Sequence, residues 1–239
     1  MAIISSTINY LDGETVLEAF IAYDNAISGQ RPTVLIAHAW AGRDNFVAEK
    51  ARKLAELGYL VFALDMYGKG ILGSSIEENA ALMQPFIEDR QLLQQRINAA
   101  LLASKQLPWS DNSKIAAIGF CFGGLCVLDL ARSGADIQGV LSFHGLLNAP
   151  ENTANQPISA KVLMLHGHDD PMSTAEQVSA IQQEFTNADV DWQIHQYGQT
   201  QHAFTNPQAN DASLGTVYQP IADKRSWQAM QNFLTEVFE

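Results

Sequence analysis

Cysteine, positive charge and long apolar runs are all scarce in this chain of 239 residues. The two cysteines, Cys121 and Cys126, lie too close together to staple a fold, and no Cys/His spacing typical of a metal site occurs. Fourteen Lys and Arg stand against 26 Asp and Glu, and the net charge of -12 argues against nucleic-acid or anionic-membrane partners. No apolar run reaches the roughly 18 residues that span a bilayer, and no secretory signal pattern is present. We therefore expect a soluble, cytoplasmic monomer or small homo-oligomer.

Hydrophobic residues make up 47% of the chain, and they recur in short runs between amphipathic segments. Strands are predicted at 15–23, 34–37, 60–64, 115–118, 140–143, 162–165 and 190–194. Helices are predicted at 46–57, 77–107 with a break near Pro85, 122–132, 174–185 and 224–238. Several strand runs are continuously apolar, which is typical of parallel strands covered by helices on both faces. The pattern predicts one α/β domain over residues 1–239, with a mainly parallel, doubly wound sheet of about eight strands flanked by helices.

The segment GFCFGG at 119–124 joins a predicted strand to a predicted helix. This order of glycine, nucleophile and glycine is the nucleophile-elbow pattern, with Cys121 where most such proteins have serine. A thiol at a helix N-terminus is favoured as thiolate by the helix dipole. The alternative is a buried cysteine in a turn that serves packing alone, and we favour the elbow.

An acid and a base follow the elbow in the order that this chemistry requires. The turn HGHDDP at 166–171 offers Asp169 and Asp170 just beyond a strand end. We favour Asp170, which directly precedes a proline, although Asp169 stays open. His202 lies in the loop after the next strand, the expected place for a general base. The base would take the Cys121 proton, and the carboxylate would orient the imidazole.

An oxyanion formed during acyl transfer needs two hydrogen-bond donors. The Phe122 N–H, directly after the cysteine, is one candidate. The other is expected in the loop after strand 34–37, from the N–H of either Trp40 or Ala39. The same loop could also be an ordinary strand-to-helix turn.

With these motifs assembled, the chain resembles the dienelactone hydrolase (carboxymethylenebutenolidase) family of α/β-hydrolases. The resemblance covers nearly the whole chain and includes the Cys121 elbow, the DMYG turn at 65–68, the HGHDDP turn and HAF at 202–204. It implies an α/β-hydrolase fold, a Cys121–His202–Asp170 triad, no cofactor and no metal. It also implies hydrolysis of small cyclic or activated esters through a thioester.

Two positions depart from the best-known members of that family. Ala39 stands where they carry a glutamate that contacts the resting cysteine, and Asn206 stands where they carry an arginine for the substrate carboxylate. We therefore expect a neutral or weakly polar ester or lactone as substrate. The following residues end predicted strands and are candidates for the substrate pocket, although each could equally pack as an ordinary loop residue: His38, Trp40, Met66, Tyr67, His144 and Phe204.

Two further functions are compatible with the same site. An oxyanion hole built for a tetrahedral carbon also suits a phosphorus centre, so neutral phosphotriesters are an alternative substrate. A non-catalytic α/β-hydrolase used as a small-molecule receptor is the other alternative. The presence of nucleophile, acid and base in order favours an enzyme over a receptor.

Overall fold

The computed structural model describes residues 2–154 and 156–239, and an eight-stranded sheet runs through them. Its strands are β1 (Ile3–Asp12), β2 (Thr15–Asp24), β3 (Arg31–Ala37), β4 (Leu60–Ala63), β5 (Ser110–Phe120), β6 (Gly139–Phe143), β7 (Lys161–Gly167) and β8 (Trp192–Tyr197). They lie in the order β1-β2-β4-β3-β5-β6-β7-β8. Strand β2 pairs antiparallel with β1 and β4, and the pairs from β4 to β8 are parallel. The predicted mainly parallel α/β sheet is confirmed.

Six helices accompany the sheet in the described part of the chain. They are α1 (Asn45–Glu56), α2 (Ile76–Glu88), α3 (Arg90–Lys105), α4 (Phe122–Arg132), α5 (Ala175–Asn187) and α6 (Pro220–Phe238). Helices α1 and α6 cover one face, where they meet Val34 and Ile36, whereas α3, α4 and α5 cover the other, where they meet Leu35. Because successive side chains of a strand point to opposite faces, a strand covered on both sides must be continuously apolar.

The break in the predicted 77–107 helix falls at Asp89 and not at Pro85. Pro85 lies inside α2, and its carbonyl accepts the Asp89 N–H at 3.0 Å. The Asp89 carboxylate accepts the N–H groups of Gln91 and Leu92, so one residue ends α2 and caps α3. A side-chain cap that begins a new helix fixes the break more strongly than the proline does.

Strand β1 is absent from the sequence-based prediction. It is an edge strand whose side chains are mostly exposed, and its hairpin with β2 turns at Gly13, where φ is +57°. An edge strand buries little, so Ile3–Asp12 lacks the continuous apolar run that identifies the inner strands. A separate short hairpin forms from β9 (Asn210–Asp211) and β10 (Thr216–Val217). Across the described residues, we find no helix with the length and apolarity to cross a bilayer.

Candidate active site

Cys121 sits between β5 and α4 in a backbone conformation that few residues other than glycine adopt. Its φ is 55° and its ψ is -116°, and its N–H donates to the Phe143 carbonyl at 3.0 Å. Strand β5 is central in the sheet, between β3 and β6, so the turn rises at the carboxyl edge where neighbouring loops converge. The strained turn leaves the Cys121 side chain partly exposed at the start of α4.

The glycines on either side of the turn permit this close packing. A Cβ at Gly119 would lie 1.9 Å from the Gly123 carbonyl oxygen, and one at Gly123 would lie 2.1 Å from the Ala37 carbonyl oxygen. Neither contact can be relieved by a side-chain rotation, because both involve backbone atoms. The glycines of the motif are therefore required for the strand, turn and helix to meet.

His202 is paired with Asp170 and not with Asp169. The His202 Nδ1 lies 2.7 Å from Asp170 Oδ2, and both side chains are almost fully buried, at 2% and 0% exposure. Asp169 is exposed on the same turn. Of the two carboxylates, Asp170 is therefore the one that contacts His202.

The β9–β10 hairpin holds the backbone of His202 on both sides. The His202 N–H donates to the Gly215 carbonyl at 2.8 Å, and the Val217 N–H donates to the His202 carbonyl at 3.0 Å. Gly215 has φ +68°, and a Cβ there would lie 2.2 Å from Cγ of Pro171, which follows Asp170. One hairpin therefore packs against the acid turn and carries the histidine.

The loop after β3 aims the Trp40 N–H at the cysteine. The Met66 N–H donates to His38 Nε2 at 3.1 Å, so the His38 proton is on Nδ1, which donates to the Ala39 carbonyl at 2.7 Å. In a trans peptide the Ala39 carbonyl and the Trp40 N–H point in opposite directions, so anchoring one orients the other. The Tyr67 hydroxyl donates to the next carbonyl, that of Trp40, at 2.9 Å. The geometry favours Trp40 over Ala39 as the donor.

The electrostatics favour a thiolate–imidazolium pair. Burial raises the pKa of the Cys121 thiol, but the His202 charge and the N–H groups of Phe122 and Trp40 lower that pKa by more, so it falls below its ordinary value. Burial lowers the pKa of His202, but the Cys121 charge and the hydrogen bond to Asp170 raise it to about 10. The side-chain interaction between Cys121 and His202 contributes to both shifts, raising the pKa of the imidazole and lowering that of the thiol.

A cavity of about 190 Å³ opens over the cysteine. Its described lining includes Cys121, His202, Trp40 and one acidic side chain, Asp44, but no lysine or arginine. The rest of the lining is largely apolar: Ala39, Ala41, Phe46, Met83, Phe120, Leu146, Met172 and Ala203, with His144, Asn206 and Thr216. Such a cavity suits a small, uncharged ligand.

Comparison with known proteins agrees with the geometry. The sequence model of the dienelactone hydrolase family matches residues 17–238. The chain belongs to the dienelactone hydrolase family. A Yersinia pestis protein named "Putative carboxymethylenebutenolidase" is 27% identical over 232 residues, which is 92% of this chain and 84% of that protein.

Solved structures show that this dienelactone hydrolase family member has the α/β-hydrolase fold. The crystal structure of a dienelactone hydrolase-like promiscuous phosphotriesterase from metagenomic libraries superposes with a TM-score of 0.93, at 36% identity over 100% of both chains. The crystal structure of a "Putative Dienelactone Hydrolase" from Klebsiella pneumoniae has a TM-score of 0.82 at 21% identity, covering 98% of this chain and 99% of that one. The predicted α/β-hydrolase fold is confirmed, and the chain is a hydrolase by family.

Four of the residues expected in the pocket lie beneath the cavity, outside its lining. His38, Met66 and Phe204 are 0% exposed and Tyr67 is 9% exposed. The first two and Tyr67 hold the loop that carries Trp40, and Phe204 packs edge-on against His144 with ring centroids 5.1 Å apart. All four side chains are buried in the core, so they are not available to contact a ligand in the cavity.

His144 does line the cavity in this dienelactone hydrolase family member. Its ring centroid lies 5.1 Å from that of His202, and its Nε2 lies 2.8 Å from Thr205 Oγ1. Burial, and then the positive charge of His202, hold the pKa of His144 well below its ordinary value. His144 is therefore a much weaker base than His202.

The sequence analysis missed the apolar side chains that close the cavity. Phe46 comes from α1, Met83 from α2, Leu146 from the loop after β6, and Met172 from the turn after Asp170. Their residue types are ordinary core types with no local motif, so no signal in the sequence distinguishes them. Within the described residues, no group of three or more His, Cys, Asp or Glu is arranged to hold a metal ion.

Proposed function

We propose that this chain hydrolyses small, neutral esters or lactones by acyl transfer to Cys121. The observation that carries the proposal is geometric: Cys121 at the start of α4 and His202 line the same cavity, and the His202 Nδ1 lies 2.7 Å from Asp170 Oδ2. Membership of the dienelactone hydrolase family, whose sequence model matches residues 17–238, supports an ester or lactone as the substrate.

In the proposed reaction, the Cys121 thiolate attacks the ester carbonyl carbon and its π electrons move to the oxygen. The resulting oxyanion accepts hydrogen bonds from the N–H groups of Trp40 and Phe122. When the carbon–oxygen bond to the leaving group breaks, the His202 imidazolium transfers its proton to the departing alkoxide. A thioester remains on Cys121.

Water completes the cycle. His202, now neutral, takes a proton from the water that attacks the thioester carbonyl. Collapse of this second oxyanion expels the Cys121 thiolate and releases the carboxylic acid. Asp170 stays ionised and stabilises the imidazolium at both steps.

The charges around the cavity support a neutral substrate. Asn206 lines it where better-known relatives carry an arginine, and apart from the Cys121–His202 pair the charged side chain among its described lining is Asp44. The His202 charge is already balanced by the thiolate, so a carboxylated lactone would find no lysine or arginine to pair with, and burying an unpaired carboxylate is costly. Ala39 stands where those relatives carry a glutamate that contacts the resting cysteine. Without that glutamate, His202 is the partner of the resting Cys121 thiol.

The test is ester hydrolysis combined with mass spectrometry of the intact protein. The wild type is expected to cleave p-nitrophenyl acetate and to gain the mass of one acetyl group when quenched early. Cys121→Ala should lose both, whereas Cys126→Ala, which removes a buried thiol outside the cavity lining, should keep both. Full activity in Cys121→Ala would refute the mechanism, and binding without product in the wild type would favour a receptor.

Neutral phosphotriesters are a second candidate. A phosphotriesterase with TM-score 0.93 to this chain has the same fold, and the cavity of this chain has two N–H donors near Cys121 and no lysine or arginine in its described lining. Attack of the Cys121 sulfur on phosphorus would expel an aryloxide protonated by His202, and water would then cleave the sulfur–phosphorus bond. Repeated turnover of a diethyl aryl phosphate is expected, and stoichiometric inactivation after one turnover would eliminate this candidate.

A further inference from the structure

A second, larger cavity lies directly beside the one that contains Cys121. Its volume is about 640 Å³, against about 190 Å³ over the cysteine. Leu146 lines both cavities. One leucine side chain is thus a shared wall between the reactive thiol and a much larger space.

The same two helices line both cavities. On α2, Met83 lines the smaller cavity and Ile87 lines the larger one. Along α4 and its N-cap, Cys121 lines the smaller and Leu125 lines the larger. Each pair is four residues apart, which is about one helical turn or roughly 6 Å. The two cavities are therefore about one helical turn apart, and Leu146 lines both of them.

The smaller cavity alone is below the roughly 300 Å³ at which ordinary ligand pockets begin. We propose that Leu146 is the specificity-determining residue that limits the length of the acyl or alcohol group this enzyme accepts, and that its removal opens the neighbouring cavity as a subsite for longer chains. This inference rests on the proposed esterase function, which it deepens by naming the size class of the substrate.

The larger cavity also has a definite charge preference. Glu88 and Glu151 line it, and its one arginine, Arg90, is bound by Asp129 through two hydrogen bonds of 2.6 and 2.7 Å. An anionic group would meet two carboxylates and an already neutralised guanidinium. The opened subsite should accordingly accept uncharged or cationic chain ends and reject carboxylates.

The test compares p-nitrophenyl acetate with p-nitrophenyl octanoate. In Leu146→Ala, the octanoate-to-acetate ratio of kcat/KM should rise about tenfold over the wild type, because the added methylene groups would contact Ile87, Leu125 and Ala149, the apolar part of a lining that is otherwise polar. Leu146→Phe, which enlarges the wall, should lower the ratio. Leu147→Ala is the matched control, because Leu147 is a neighbouring core residue at 3% exposure that lines neither cavity.

A second readout does not require turnover. The rates at which N-ethylmaleimide and N-octylmaleimide alkylate Cys121 are measured in the same variants by intact-protein mass. Leu146→Ala should favour the octyl reagent relative to the wild type, and Leu147→Ala should not.

The two readouts separate the possible failures. If the esters are hydrolysed but neither ratio changes in folded Leu146→Ala, the size limit is wrong and the esterase function stands. If the wild type hydrolyses no ester yet the alkylation ratio rises in Leu146→Ala, the function is wrong and the size limit stands.

Discussion

Replacing Asp170 by asparagine is the sharpest test of the site, because the neighbouring carboxylate provides a matched control. The Asp170–His202 contact is 2.7 Å long, and neither side chain is exposed enough for water to replace it. Asparagine keeps the size of the side chain but removes its charge. If the asparagine amide donates to Nδ1, the imidazole proton is forced onto Nε2. That nitrogen can then no longer accept the proton of the thiol.

Two effects contribute to the expected loss. A hydrogen bond to a charged group is worth about 1.5–3 kcal/mol, and the uncharged replacement forfeits part of that. The wrong imidazole tautomer costs about ten-thousand-fold in serine hydrolases, where the base must also generate the nucleophile. Since the pKa of Cys121 is lowered at rest, the need for His202 to deprotonate the nucleophile is smaller here. We expect kcat/KM to fall between roughly one-hundred-fold and ten-thousand-fold.

The assay is ester hydrolysis as a function of pH. Asp170→Asn should lower kcat/KM and also lower the pKa of His202, so the alkaline limb should move down from about 10. Asp169→Asn, which changes an exposed carboxylate on the same turn, should leave both within about twofold of the wild type. The reverse outcome, with Asp169→Asn inactive and Asp170→Asn active, would refute the assignment of the acid.

Three further predictions address the pH dependence, the β9–β10 hairpin and the loop after β3 that carries Trp40 (the oxyanion loop). After the spontaneous rate is subtracted, kcat/KM of the wild type for an alkyl ester should decline above about pH 10, because His202 loses the proton that the departing alkoxide needs, while iodoacetamide still alkylates the Cys121 thiolate there. Gly215→Ala should lower the free energy of unfolding by about 1–3 kcal/mol and reduce kcat, since its Cβ would lie 2.2 Å from Pro171 Cγ at a φ of +68°. Tyr67→Phe should lower kcat up to about tenfold with little change in KM, because it removes one 2.9 Å hydrogen bond to the loop and no contact with the cavity.

Each of these has a control in the chain. Gly198→Ala introduces a Cβ with no atom within 4 Å, so it should leave stability and kcat nearly unchanged. Tyr218→Phe removes a hydroxyl that donates to Asp223, remote from the oxyanion loop, and should leave kcat unchanged. An alkaline limb that stays the same in His202→Ala would contradict the pH prediction.

The inner strands and the elbow could be predicted because their signals are local. A strand covered on both faces must be continuously apolar, and Val34 and Leu35 of β3 do face opposite layers. The turn around Cys121 needs glycine at positions 119 and 123, because neighbouring backbone atoms there leave no room for a Cβ. Both requirements are written within a few consecutive residues, so the α/β architecture and the position of the cysteine followed from the sequence.

Edge strand β1 and the helix break at Asp89 could not be predicted from such local signals. Ile3–Asp12 gains its partner from β2 and buries little, so its hydrophobic pattern is weak. The break depends on one carboxylate satisfying the N–H groups of the next helix, which competes with a proline signal four residues earlier. Propensity alone favoured the proline.

Tertiary structure alone decided the details of the site. Asp169 and Asp170 are chemically equal as sequence, and only the path of the turn buries one against His202. Ala39 and Trp40 each carry an N–H, and the His38 hydrogen bond to one carbonyl orients the other residue's donor. The cavity walls were likewise hidden, since residues as ordinary as a leucine or methionine acquire a role only when helices and loops far apart in the chain converge on the thiol. Local sequence patterns predict helices, strands and turns, because those depend on neighbouring residues. The size and lining of a cavity depend on how distant elements pack, which no local pattern contains.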